Sequence, residues 1–184
     1  MSSIETAHVI SVAKSPTHTF SKVPCATINL IAGLGVEHDA HAGATVKHRS
    51  RVARDPSQPN LRQVHLMHVE RFAELAAEGF TLKPGDIGEN ILTKGIDLLA
   101  LPEDTEFHFA SGAMLQIKGL RNPCHQLDDF MPGLMRAMLP KDASGKTILA
   151  GGIMAIVLAS GEIRPGDDFQ IVMPEPPYRT LRRV

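Results

Sequence analysis

The 184-residue chain has no tryptophan, one tyrosine and seven phenylalanines. So few rings cannot form the row of stacking platforms on which single-stranded nucleic acid is held. The formal net charge is −1, so no global field draws the chain to nucleic acid or to an anionic membrane surface. No apolar run reaches the ~20 residues that a membrane-spanning helix needs. The start, Met1-Ser2-Ser3-Ile4-Glu5-Thr6-Ala7-His8, lacks the basic and long apolar regions of a secretory signal. No signal peptide is expected, and a reducing, cytoplasmic setting follows. There are only two cysteines, Cys25 and Cys124, too few for a disulfide framework. Motifs for haem, flavin or iron–sulfur clusters are absent as well. What is there is ordinary for a globular protein: 43% hydrophobic and 21% charged residues, in a chain long enough for one domain with a real core.

Apolar periodicity predicts many short strands and few helices. Strands are expected over 6–12, 26–31, 63–69, 89–93, 106–109, 113–118, 152–159 and 168–172. The 152–159 run is the most apolar and reads as a buried central strand. A helix is expected over 70–79, with Phe72, Leu75 and Ala76 on one face and Gly79 as its cap. Two short helices are expected over 126–139, split at Pro132-Gly133. Residues 45–62 read as a long loop, and Ser160-Gly161-Glu162 as a turn. Residues 174–184 are expected either to lie extended over the surface or to be disordered. The fold class is mainly β, a β-barrel with short helical decorations. The organisation is a lead-in over 1–25, a main domain over 26–172 and a tail over 173–184, one domain in all.

The segment richest in chemistry is Gly119-Leu120-Arg121-Asn122-Pro123-Cys124-His125-Gln126-Leu127. It places one cysteine at the end of a strand, three residues after an arginine and just before a histidine. A thiolate is the reactive form of cysteine, and a nearby cation favours it. Pro123 restrains the turn, and Asn122 can fix it by bonding its own backbone. Cys124 is then a nucleophile, a sulfur carrier or a soft metal ligand. The opposing reading is a buried, inert cysteine. Arg121 either stabilises that thiolate or clamps an anion through its planar fork.

Gly85-Asp86-Ile87-Gly88-Glu89-Asn90 offers acceptors and amides to a heterocycle, or forms a tight polar turn. Its spacing is not that of a phosphate loop. The 45–62 loop carries Lys47, Arg49, Arg51, Arg54 and Arg62 against Asp55 alone, a local excess of four positive charges. It is either a clamp for phosphate or a solvated loop. His65 and His68 stand three apart on a predicted strand and so face opposite sides. With His38, His41 and His48 they make no recognisable zinc pattern.

Four segments, taken together, resemble the MOSC domain family, the C-terminal domain of molybdenum-cofactor sulfurases. They are Gly35-Val36-Glu37-His38-Asp39-Ala40-His41-Ala42-Gly43, Arg62-Gln63-Val64-His65-Leu66-Met67, Pro84 to Ile91 running into Thr93 to Leu98, and Arg121-Asn122-Pro123-Cys124. Ala42-Gly43 departs mildly from the family's Gly-Gly or His-Gly. The resemblance spans roughly residues 26–172. It implies a closed β-barrel with short helices, and Cys124, beside Arg121, as a persulfide carrier or a ligand to molybdenum. It implies a molybdenum-cofactor (molybdopterin) ligand held by Asn122, His41, Asp86, Glu89, Asn90, Arg49, Arg51 and Arg62. A client molybdoenzyme or an electron-donor protein would be the partner, and reduction of N-hydroxylated compounds one outcome. Whether the chain is itself an enzyme, as a sulfurtransferase or an oxidoreductase component, stays open. The alternatives are a non-catalytic delivery protein and a divergent barrel without cofactor. Pyridoxal phosphate, linked to the family, belongs to the desulfurase domain of fused relatives, and no Schiff-base lysine context stands here. Cys25 lies outside every matched segment and reads as structural.

Overall fold

The computed structural model describes residues 7–47 and 49–184, and of residues 49 and 50 the backbone alone. His48 and the Arg49 side chain therefore lie outside the described residues. The strands are β1 (His8–Lys14), β2 (Val23–Cys25), β3 (Ile28–Ile31), β4 (Gly35–Val36), β5 (Val64–His68) and β6 (Ile91–Lys94). They continue with β7 (Glu106–Phe109), β8 (Met114–Leu120), β9 (Ile153–Ala159), β10 (Gly161–Ile163) and β11 (Phe169–Val172). Four short helices interrupt them: α1 (Arg49–Val52), α2 (Val69–Ala77), α3 (Gln126–Phe130) and α4 (Leu134–Ala137). No helix among the described residues is long and apolar enough to cross a membrane.

The large sheet runs β11-β7-β8-β9-β5-β6-β1-β2, and a small one runs β10-β3-β4. The β5–β6 pair is parallel, Leu66 opposite Ile91, and α2 begins the crossover that a parallel pair requires. In β8 the period of two is plain: Leu115 and Ile117 are buried while Met114, Gln116 and Lys118 are half-buried. β5 is buried along its whole length, because both of its faces are covered. Val64 and Leu66 join the main core with Leu30, Phe107 and Leu115. Met67, on the other face, joins Phe72, Leu75, Leu92 and Leu134 beneath the helices. Each such large apolar side chain contributes about 1.5–3 kcal/mol by leaving water.

The strand ladder does not close into the barrel that the resemblance implies. The sheet curls until His8 forms an isolated bridge with Asp168, with Val9 N donating to Asp167 O at 2.9 Å. Gly166 N also donates to Val9 O at 2.8 Å and Phe169 N to Ala7 O at 3.4 Å, but no continuous ladder forms there, and from Val12 onward β1 pairs with β2.

Several local expectations change for identifiable reasons. Gly161 is not in a turn but in β10, opposite Leu30. A Cβ there would lie 2.7 Å from Ala113 N and 2.8 Å from Ala113 Cβ, so the glycine serves close packing. The 45–62 segment is not all loop. It holds α1, a bridge between Thr45 and Pro59, and Asn60 Nδ2 donating to the carbonyls of His41 and Gly43 at 2.9 Å each. On α2, Ala76 is exposed and the buried face is Arg71, Phe72 and Leu75. The tail is extended over the surface: Glu103 N donates to Arg179 O, and Leu120 N to Arg182 O, at 2.8 Å each.

Candidate functional site

At the end of β8 the chain leaves the sheet. Arg121 N donates to Gly152 O at 2.9 Å, and Leu127 N donates to Cys124 O at 3.0 Å. Between these two bonds Asn122-Pro123-Cys124 crosses from strand to α3. This crossing forms one wall of a cavity of about 450 Å³, with Asn122 and Cys124 facing in. Lys22, His65, Asn90 and Met154 supply other parts of the wall. Gly152, whose carbonyl takes the Arg121 bond, packs directly against β5. Its φ is +91°, and a Cβ there would press on the Leu66 carbonyl and lie 2.8 Å from His65 Nε2. Only glycine takes that conformation without cost.

The cavity is cationic. Lys22, Arg51, Arg62, Arg121 and Arg183 line it, and no Asp or Glu does. Arg121 is 9% exposed, and its Nη1 has no hydrogen-bond partner among the described residues. Its guanidinium carbon lies 6.0 Å from the centre of the Phe20 ring, near the outer limit for a cation–π contact. Burial pulls its pKa below the ordinary value, opposed by the charges of Cys124 and Glu89. Arg62 is brought down to about 10, first by burial and then by repulsion from Arg51 and Arg121. Its Nη1 donates to Val184 O at 3.0 Å. Arg62 thus has a partner, whereas Arg121 Nη1 has none, and a buried guanidinium left so is costly unless an anion joins it.

Beneath the cavity lies a buried ion pair. Lys22 Nζ is 2.7 Å from Asp39 Oδ2, both side chains almost fully buried. Asp39 also accepts from Ser15 N at 3.2 Å, His41 N at 2.9 Å and Asn90 Nδ2 at 3.1 Å. The His41 ring nitrogen Nδ1 is 3.2 Å from its Oδ1. Burial alone would raise the Asp39 carboxyl, but bonds from His41 and Lys22 outweigh it and hold the group well below the usual range. Burial lowers Lys22 against the pull of Asp39. Asp39 thus fixes three cavity-lining groups at once: Lys22, His41 and Asn90.

His65 is fully buried, with Nε2 2.8 Å from Gly151 O. Desolvation, then the Arg121 charge, holds its pKa well below the ordinary value, so the imidazole is neutral at pH 7. Glu89 is 1% exposed. Its Oε1 accepts from Gly85 N at 2.5 Å, and burial raises its pKa to about 7. Asp86 Oδ2 accepts from Lys83 N at 2.7 Å. Glu89 and Asp86 therefore brace the 83–90 turn and do not line the cavity, whereas Asn90 does.

Cys124 is half-buried, its thiol directed at Gln126 Oε1 at 3.5 Å, and the exposed His125 stands beside it at the mouth. Cys25 does not line the cavity. Its thiol donates to Thr27 O at 3.2 Å, and burial pushes it up. Both thiols are free. Of the basic loop, Arg51 and Arg62 reach the cavity, and Lys47 joins them in a small side niche. Arg54 lines neither, and the Arg49 side chain is outside the described residues. Among the described residues no three His, Cys, Asp or Glu side chains are placed to hold a metal ion.

Sequence reasoning missed Lys22, Asp39, Phe20 and Arg183. Asp39 stands two residues before His41 within a matched segment, a signal that could have found it. Arg183 gives none, because it reaches the cavity only through the tail's path along β8.

The MOSC domain model matches residues 53–170, more than half of the chain. Over 146 residues the chain is 29% identical to YuaD of Bacillus subtilis, covering 74% of this chain and 76% of that protein, whose name assigns it to metal-sulfur cluster biosynthesis. The crystal structure of YuaD superposes with a TM-score of 0.75 at 24% identity, over 92% of this chain and 97% of YuaD. YiiM of Geobacillus stearothermophilus gives a TM-score of 0.63 at 19% identity, over 90% and 75% of the two chains. YiiM of Escherichia coli gives 0.62 at 18% identity, over 94% and 73%. With its fold shared by these structures and the family's domain spanning its strands from β5 to β11, the chain belongs to the MOSC domain family.

Proposed function

We propose that the cavity binds an anionic ligand of the molybdenum-cofactor type, and that Cys124 is its thiolate, carrying sulfur as a persulfide or ligating molybdenum. One observation carries this reading: the buried Arg121, with Nη1 unpartnered, in a wall of five cationic side chains of which Lys22 alone has an Asp or Glu partner. A buried charge of this kind is stabilised by a charged hydrogen-bonding partner. The residues fit such a group. Arg51 and Arg62 would take its anionic end, Arg121 would pair with charge near the sulfur, and Asn90 and Asn122 would meet its heterocycle. When bound, the cofactor would supply a redox-active metal centre.

The chain's own part in sulfur transfer balances without an oxidant. A donor persulfide gives its outer sulfur to Cys124 Sγ. One S–S bond breaks as another forms, and the donor leaves as a thiolate. Arg121 offsets the negative charge that remains on the persulfide. The half-exposed position of Cys124 at the mouth favours a second reading, delivery of sulfur or cofactor to a client protein without turnover. The metal-sulfur name of YuaD supports sulfur handling in either reading. Reduction of N-hydroxylated compounds would require an electron-donor partner, and a reducing cytoplasm would keep both thiols free.

The test uses protein from a host that makes molybdenum cofactor. Bound molybdenum is quantified, and intact mass reports added sulfur, in the wild type and in Cys124→Ser. Either species in the wild type, lost in a folded Cys124→Ser variant, is the expected result. Neither species in the wild type refutes the proposal. Repeated turnover with a reductant separates an enzyme from a stoichiometric carrier.

A further inference from the structure

His68 stands three residues after His65 and on the other face of β5. It opens on a second cavity, of about 490 Å³, which shares no lining residue with the first. The end of β5 and the first turns of α2 supply His68, Glu70, Arg71 and Glu74, and the segment after β6 supplies Asp97.

Five buried side-chain polar atoms among the described residues lack a hydrogen-bond partner. Arg121 Nη1 is on a residue lining the first cavity, and Glu89 Oε2 lies in the 83–90 turn. The other three are His68 Nδ1, Glu70 Oε2 and Arg71 Nε, all on residues lining the second cavity. His68 is 7% and Arg71 6% exposed, so open solvent does not serve them. Glu70 and Arg71 are anchored at one end. Glu70 Oε1 accepts from Gly95 N at 2.8 Å. Arg71 Nη1 donates to Glu74 Oε2 and Nη2 to Ala137 O, both at 2.6 Å. Glu70 and Arg71 are thus held in place with a second polar atom left over, and His68 adds a third. Unpaired buried polar atoms are rare and costly; Arg71 Nε is a donor and is left to water, whereas Glu70 Oε2 and His68 Nδ1 are two acceptors at one cavity and mark a site that a donor completes.

The charge selects the class of ligand. The Arg71 cation is matched by Glu74, which leaves Glu70 and Asp97 uncompensated. Desolvation lowers the His68 pKa against the pull of Asp97 and Glu70. No three ligating side chains converge among the described residues, which disfavours a metal ion. Ile96, Leu99 and Ile148 add apolar wall. We infer that this second cavity binds a small organic cation, a protonated amine or amidine with an apolar body, whose N–H groups pair with Glu70 and His68.

Benzamidine is a suitable probe, with benzamide as its neutral counterpart. Methyl NMR of the full chain, labelled at Ile, Leu and Ala, would read the shifts of Ile96, Leu99, Ile148 and Ala150 during titration. Benzamidine is expected to saturate these shifts, and benzamide to bind at least tenfold more weakly. Glu70→Gln keeps the acceptor for Gly95 N and removes the charge, so it should weaken benzamidine at least tenfold on an unchanged fold. Asp97→Asn, which retains the acceptor for Leu99 N, should weaken it severalfold. The inference is overturned by the absence of saturable shifts at tens of millimolar, by equal binding of benzamide, or by full affinity in folded Glu70→Gln. In each of those cases water alone completes the polar atoms. Cys124 is not among the reporting groups, so failure here leaves the first site untouched.

Discussion

Glu89→Gln should flatten the pH dependence of folding stability. Burial raises the Glu89 carboxyl from 4.5 to about 7, so between these values the folded protein holds a proton that the unfolded chain has released. Stability from this group is complete below pH 4.5 and falls as pH rises, levelling above pH 7. At about 1.4 kcal/mol per pH unit, the loss across the window is about 3 kcal/mol. Gln keeps the Oε1 acceptor for Gly85 N but puts an amide nitrogen where Oε2 lacks a partner. That mismatch costs the same at every pH. The slope therefore carries the test and the absolute level does not. Urea unfolding of wild type and variant at pH 4.5, 6 and 8 would give the difference directly. Its growth in favour of the variant by about 3 kcal/mol toward pH 8 is the expectation. Parallel pH profiles would refute the reasoning and place the Glu89 carboxyl in a solvated setting.

Two further outcomes follow from the same geometry. Lys22→Met leaves the buried Asp39 carboxylate without its cation and should cost about 3 kcal/mol in urea unfolding at pH 7. Adding Asp39→Asn should restore part of the loss, and no recovery would mean that the pair is not the source. Arg62→Gln should weaken binding of the anionic ligand about tenfold, one charge-assisted bond, and reduce its dependence on salt. Unchanged affinity would remove Arg62 from the site.

The parts of this molecule legible in its sequence are those with local causes. β8 follows from the alternation of Leu115 and Ile117 with polar neighbours. Cys124 and Arg121 stand out together because only Asn122 and Pro123 lie between them. Gly161 misled because its glycine answers Ala113, which is distant in the chain, and not a local turn. Arg71 takes a place on the buried face of α2 because its guanidinium finds the Ala137 carbonyl, 66 residues onward. The Lys22–Asp39 pair joins elements with no shared periodicity. Asp86 and Glu89 looked like pocket groups because their residue types suit one, yet their carboxylates are used by backbone amides of their own turn. No continuous ladder joins β1 to β11, and no pattern of hydrophobic residues announces how far two strands so distant in the chain will pair.

The cavity is built from scattered lengths of chain. Lys22 and His41 come before α1, and Arg183 comes from the last residues, while the family's signature covers only 53–170. The stretch that matches the family is thus shorter than the stretch that builds the cavity. A fragment trimmed to that signature would retain Cys124, Arg121 and His65 but would lack Asp39, which orders the floor, and three of the five cations, Lys22, Arg51 and Arg183. Kinship and cavity have different boundaries in this protein, and the second set is the wider.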